Sequence, residues 1–193
     1  MSALILGLVL FLGVHSVRIV ADPWRTRMRA RLGEGGWKGV YSVLSLLGFG
    51  LIIWGYGQAR QAPVALWEPM LWARHLGGLL TLVAFILLAA AYVPGNGIKA
   101  RLHHPMVLGV KVWALAHLLA NHTLADVLLF GGFLLWAVLD FRSARQRDTA
   151  AGTRYAPGSL PRTLATVVAG TLAWAVFAFW AHAAWFGVRP FGG

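Results

Sequence analysis

Six uninterrupted apolar stretches constrain this chain more than any other feature. They run over residues 2–20, 39–57, 76–93, 106–121, 124–139 and 164–188. The first reads SALILGLVLFLGVHSVRIV. A hydrocarbon core of about 30 Å takes roughly 20 helical residues to cross, and each stretch is that long or nearly so. Barrel strands alternate apolar and polar residues over about ten positions. These runs do not alternate, so the pattern predicts an all-α, polytopic membrane helix bundle of about six transmembrane helices. Composition agrees: 59% of residues are hydrophobic and 12% charged, against roughly 45–50% and 25% in soluble domains. Mean hydropathy is +0.67. No linker or repeat divides the chain, which reads as one transmembrane domain over 1–193. The first stretch has no basic leader and no small-residue cleavage site, so it reads as a retained span and not as a signal peptide.

The formal net charge is +11, and its placement carries the meaning. Arg18, Arg25, Arg27, Arg29, Arg31 and Lys38 flank the first loop. Lys99 and Arg101 lie in the third, and Arg142, Arg145, Arg147, Arg154 and Arg162 in the fifth. Only Arg60, Arg74 and Arg189 fall on the other side, and Lys111 lies within the fourth stretch. This asymmetry predicts an inner-membrane protein with basic loops in the cytoplasm and both termini periplasmic. The charge is then topology and contact with anionic lipid headgroups, and nucleic-acid binding is not expected. Trp24, Trp37, Trp67 and Trp72 fall at the expected interfaces. Residues 33–39 are glycine-rich but lack phosphate-loop spacing, so a turn is expected there. The 142–162 segment is expected as a loop, helical at most at its start. Gly48, Gly50, Gly55 and Gly57 suit close helix approach within the chain.

There is no cysteine. Disulfides, thiolate nucleophiles and iron–sulfur clusters are excluded, and a metal must rely on the seven histidines. Topology sorts these by depth. His15 and His117 lie within the hydrocarbon, His103 and His104 at the cytoplasmic mouth of the fourth span, and His75, His122 and His182 near the outer face. A polar side chain at depth is costly and therefore informative. Two intramembrane imidazoles at comparable depth suit the axial positions of one haem iron. The competing reading is that each imidazole hydrogen-bonds a neighbouring helix. The outer three form either a metal site or an unrelated interfacial set, with Asp126 placed four residues on to orient His122. Arg18, one turn after His15, suits a haem propionate. Lys111, seven residues after His104 and on the same face, reaches back toward the cytoplasmic interface. No catalytic residue is assigned.

The segment His15-Ser16-Val17-Arg18, the run LHHPMVLGVKVWALAH over 102–117 and the closing WAHAAWFGV over 180–188 together resemble the NnrU family. The likeness covers essentially the whole chain. It implies a small multi-span bacterial membrane protein linked to denitrification and nitric oxide metabolism. That family is similar in turn to the 15-cis-zeta-carotene isomerase, a membrane haem b enzyme. The isomerase motifs correspond here to His15-Ser16, His104-Pro105 and Leu115-Ala116-His117. The resemblance therefore implies haem b, with His15 and His117 as metal ligands and with Arg18, His104 and Lys111 at the cofactor. His103 stands where the isomerase has arginine, and a cysteine ligand is unavailable. Three alternatives stand beside the haem protein of nitrogen-oxide metabolism. One is a carotene-isomerase-like haem isomerase. Another is a cofactor-free accessory factor for nitrite or nitric oxide reductase components. The third is a membrane methyltransferase, because His104-Pro105 with Gly109 is similar to the S-adenosylmethionine element of the isoprenylcysteine type.

Overall fold

The structure is a computed structural model that describes residues 1–68 and 70–191. It is built of helices in the order α1 (Ser2–Val20), α2 (Asp22–Ala59), α3 (Leu71–Tyr92), α4 (Gly97–Leu102), α5 (Pro105–Ala120), α6 (Leu124–Ala151), α7 (Leu160–Val176), a π-helical turn (Phe177–Ala181) and α8 (His182–Phe186). No strand occurs among the described residues. Five helical segments are long and apolar enough to cross a membrane: Ser2–Val20, Asp22–Ala59, Leu71–Tyr92, Leu124–Ala151 and Leu160–Phe186. The sixth expected span, α5, has 16 residues and at 1.5 Å per residue covers only ~24 Å. Large apolar side chains point outward along these helices, among them Val9 at 66% and Leu172 at 62% exposure. In water such surface would collapse together. A bilayer leaves it exposed at no cost.

The expected loops differ from those observed. The basic segment 22–38 is helix, not loop, and it is broken only at Gly33 (φ 70°, ψ 168°). Glycine reaches that conformation without a Cβ clash, so the turn expected over 33–39 contracts to one residue. Helix α6 runs to Ala151, leaving only residues 152–159 of the expected 142–162 loop. Arginine is a good helix former, and nothing in 142–151 breaks the helix. Charge density marked where the apolar run ends, not where the helix ends.

The chain divides into two compact units, Met1–Trp67 with His122–Asp140, and Glu68–Asn121 with Phe141–Gly193. In the first, α1 and α2 pack antiparallel through glycine. A Cβ on Gly7 would stand 2.6 Å from Ile52 N, one on Gly48 2.8 Å from Phe11 N, and one on Gly55 2.7 Å from Ala3 C. Backbones this close require glycine. Gly50 and Gly57 face open space, so two of the four span-two glycines serve this contact. The start of α6 is pinned to the end of the loop after α2: Leu124 N donates to Val64 O and Leu66 N to His122 O, both at 2.9 Å.

In the second unit α3 packs antiparallel to both α5 and α7. Ala84 O lies 3.1 Å from the position of a Cβ on Gly109, and Ile86 Cα lies 2.6 Å from one on Gly170. Asn96 is 1% exposed and satisfies three groups. Its Oδ1 accepts from Lys99 N at 2.8 Å, and its Nδ2 donates to the Ala90 and Val93 carbonyls. That starts the short α4. Pro105 then begins α5, at a position where the missing N–H costs nothing.

Candidate functional site

In the first unit His15 sits on α1 in an aromatic box. Phe11 stacks on it at 4.2 Å between ring centroids, Tyr41 lies at 5.2 Å and Trp136 meets it edge-on at 6.1 Å. His15 Nδ1 bonds the Phe11 carbonyl one turn back at 2.7 Å. A carbonyl only accepts, so Nδ1 carries the proton and Nε2 the lone pair. Two buried polar atoms of this unit, Ser45 Oγ and Trp136 Nε1, have no hydrogen-bond partner. Trp136 walls His15, and Ser45 stands between Tyr41 and Phe49 at the four-residue spacing of one helix face. Arg18 is exposed one turn on.

In the second unit His117 repeats the arrangement on α5. Its Nδ1 bonds the Trp113 carbonyl at 2.9 Å, and the Trp113 ring lies 5.1 Å away. Pinning one ring nitrogen to a backbone carbonyl is how proteins fix the tautomer of a metal-binding imidazole. The residues therefore fit an imidazole-ligated iron in donor type, tautomer and apolar surroundings.

The most connected polar group lies elsewhere, at the end of the second unit where α4, α5 and the tail of α6 meet. His104, the N-cap of α5, donates from Nε2 to Asp148 Oδ2 at 2.8 Å. Tyr155 Oη donates to the same oxygen at 2.9 Å. Both side chains of the pair are mostly covered, with His104 21% and Asp148 19% exposed. Arg145 donates to His103 Nδ1, and His103 stacks on Tyr155 at 4.1 Å with the planes 7° apart. His103 has φ 69°, a conformation that costs a non-glycine residue about 1–3 kcal/mol. The Arg145 and Tyr155 contacts hold it there. Lys111 places its Nζ 4.9 Å from the centre of the Phe141 ring, and His104 meets that ring edge-on at 6.2 Å.

Desolvation alone would push the Asp148 carboxyl up. The hydrogen bonds from Tyr155 and His104, with the charge of His104 and His103, outweigh it and hold the group below its ordinary value. The Tyr155 phenol is raised, first by burial and then by its bond to Asp148. A depressed carboxyl contributes stability that is present above its unfolded value and lost as pH falls through its folded value. Wild type is therefore expected to melt above Asp148→Asn near neutral pH. The gap should begin to narrow as the pH drops below the ordinary carboxylate value of about 4 and close below the lower folded value. A gap independent of pH would show that the carboxylate charge plays no part.

Of the residues expected at a site, the structure joins His104 and Lys111 around Phe141. It places His15 with Arg18 in one unit and His117 in the other. Sequence reasoning missed Asp148 and Tyr155 as partners of His104. They lie 44 and 51 positions away, and no spacing rule reaches that far. It also misread Asp126. The carboxylate does not orient His122. Its Oδ2 accepts from Thr123 N at 3.0 Å and Thr123 Oγ1 at 2.6 Å, and its Oδ1 from Tyr56 Oη at 2.5 Å. Thr-x-x-Asp is the capping pattern of a helix start, and that signal was present in the sequence. Among the described residues no three His, Asp or Glu side chains gather as metal ligands, and His182 Nδ1 bonds Val188 O instead.

Long apolar helices that expose large hydrophobic side chains define an all-α membrane helix bundle. The chain belongs to the NnrU family, whose model, described as NnrU protein, matches residues 3–190. No curated protein and no solved structure matches it.

Proposed function

We propose that this chain is a multi-pass inner-membrane protein of nitric oxide and denitrification metabolism, with both termini periplasmic, and that it binds haem b through intramembrane histidine. Family membership supports the metabolic setting. One observation carries the cofactor: His15 and His117 each bond the carbonyl four residues back through Nδ1, so that in the neutral tautomer the lone pair is on Nε2. Neutral ligands suit an iron centre buried in hydrocarbon, since they add no charge to desolvate. The unpaired Trp136 Nε1 and Ser45 Oγ are further polar groups near His15. When bound, haem supplies electron transfer or diatomic-gas binding.

Expression with haem supplied, followed by detergent purification, tests this. The expected product shows a Soret band that His15→Ala and His117→Ala each lose and His122→Ala keeps. A colourless wild type would support the accessory role toward a nitrite or nitric oxide reductase. A full Soret band in both alanine variants would refute the ligand assignment.

A further inference from the structure

We propose that His104, with Asp148 behind it, forms a binding site for a small oxyanion, and that anion binding is coupled to protonation of His104. Asp148 is held in its ionised form by two donors on one oxygen, Oδ2. Its partner His104 Nε2 must then carry a proton. The other ring nitrogen, Nδ1, has no hydrogen-bond partner among the described residues, and His104 is 21% exposed. An imidazole tied to a carboxylate through one nitrogen and open at the other is a positioned proton acceptor. Protonating Nδ1 gives an imidazolium that Asp148 already stabilises on one side. Nδ1–H then offers a charge-assisted hydrogen bond on the other side, and an oxyanion is the complement to it.

The surrounding charge favours an anion. Arg145 is fixed on His103, so it keeps its charge beside the pair without competing for Asp148. Lys111 stands against the same Phe141 ring as His104. Asp148 is the negative group in contact with His104, and Arg145 and Lys111 are the two cations set against it. The proton balance is simple. With nitrite, one proton leaves the buffer for Nδ1, the anion arrives unprotonated, and no bond to it breaks; phosphate exchanges a proton of its own with the buffer near neutral pH, so it reports binding and not the proton count.

Calorimetric titration of the purified full chain tests the site with two probes, sodium nitrite and inorganic phosphate. Nitrite is chosen on the strength of the nitrogen-oxide reading, whereas phosphate tests oxyanion chemistry without it. Both probes should bind, and nitrite should bind with uptake of a proton, read as a heat that depends on the buffer's ionisation enthalpy. His104→Gln should lose the proton uptake and bind at least about tenfold more weakly, the loss of one charge-assisted hydrogen bond. Asp148→Asn, which keeps the shape, should also weaken binding. A merely structural His–Asp tie would lower the melting temperature and take up no proton. Should His104→Gln fail to fold, the 15N shifts of the His104 ring in wild type still decide, moving to the imidazolium pattern on adding anion. No binding of either probe, or nitrite binding without proton uptake, overturns the proposal. The Soret band reports separately on haem, so failure of one reading is distinct from failure of the other.

Discussion

Gly55→Leu should pry α1 from α2 and cost about 3 kcal/mol, the upper part of the range for overpacking. A Cβ there would stand 2.7 Å from Ala3 C and the Cα of Leu4, and closer still to Leu4 N. These are backbone atoms, which no rotamer change can move aside. Relief would require separating the helices, and with it the register that sets Phe11 against Gly48 and His15 beside Tyr41. Gly50→Ala is the control. Its Cβ would meet nothing within 4 Å, and replacing a mid-helix glycine should gain up to about 1 kcal/mol. Unfolding in a denaturing detergent, followed by circular dichroism, checks both. Equal effects at Gly55 and Gly50 would show that the close approach does not hold the pair.

Asp126→Ala should cost about 3 kcal/mol and free the start of α6. Asp126 is 5% exposed. Its two oxygens accept from Tyr56 Oη, Thr123 N and Thr123 Oγ1. Removing them strands a half-buried phenol and undoes a helix cap, each worth roughly 1–2 kcal/mol. Tyr56→Phe removes only the hydroxyl donor and should cost about 1 kcal/mol. The same unfolding assay ranks them. A Tyr56→Phe loss as large as that of Asp126→Ala would place the energy in the inter-helix bond, with none left for the cap.

The proposed haem ligation and the proposed oxyanion site draw on different parts of the chain. His15 and His117 lie within apolar runs of the sequence, and each bonds the carbonyl four residues back on its own helix. His104 is an end-of-helix imidazole whose partner is a carboxylate from a distant helix. The difference explains why the first two stood out in the sequence and the workings of the third did not. A histidine inside an apolar run is conspicuous because it is expensive there, and its i−4 carbonyl is always within reach in a helix. A histidine near a membrane edge is cheap, and nothing about position 104 says which acid it will meet.

Hydrophobicity by itself determined the class of this protein. Apolar runs 16 to 25 residues long leave helix as the only way to satisfy backbone groups in hydrocarbon, so the membrane helices followed from composition along the chain. Helix ends did not follow, because arginine-rich segments such as 22–32 and 142–151 lie outside the apolar runs without leaving the helix. Glycine content hinted at close packing, but only the tertiary structure decided that Gly48 and Gly55 face α1 while Gly50 and Gly57 do not. It also decided the group around Asp148. The chain had to bring α5, the tail of α6 and Tyr155 to one end of the second unit before His104 acquired its carboxylate. Burial is written locally in a sequence, whereas the choice of partner depends on contacts between residues far apart in the chain, and folding alone supplies those.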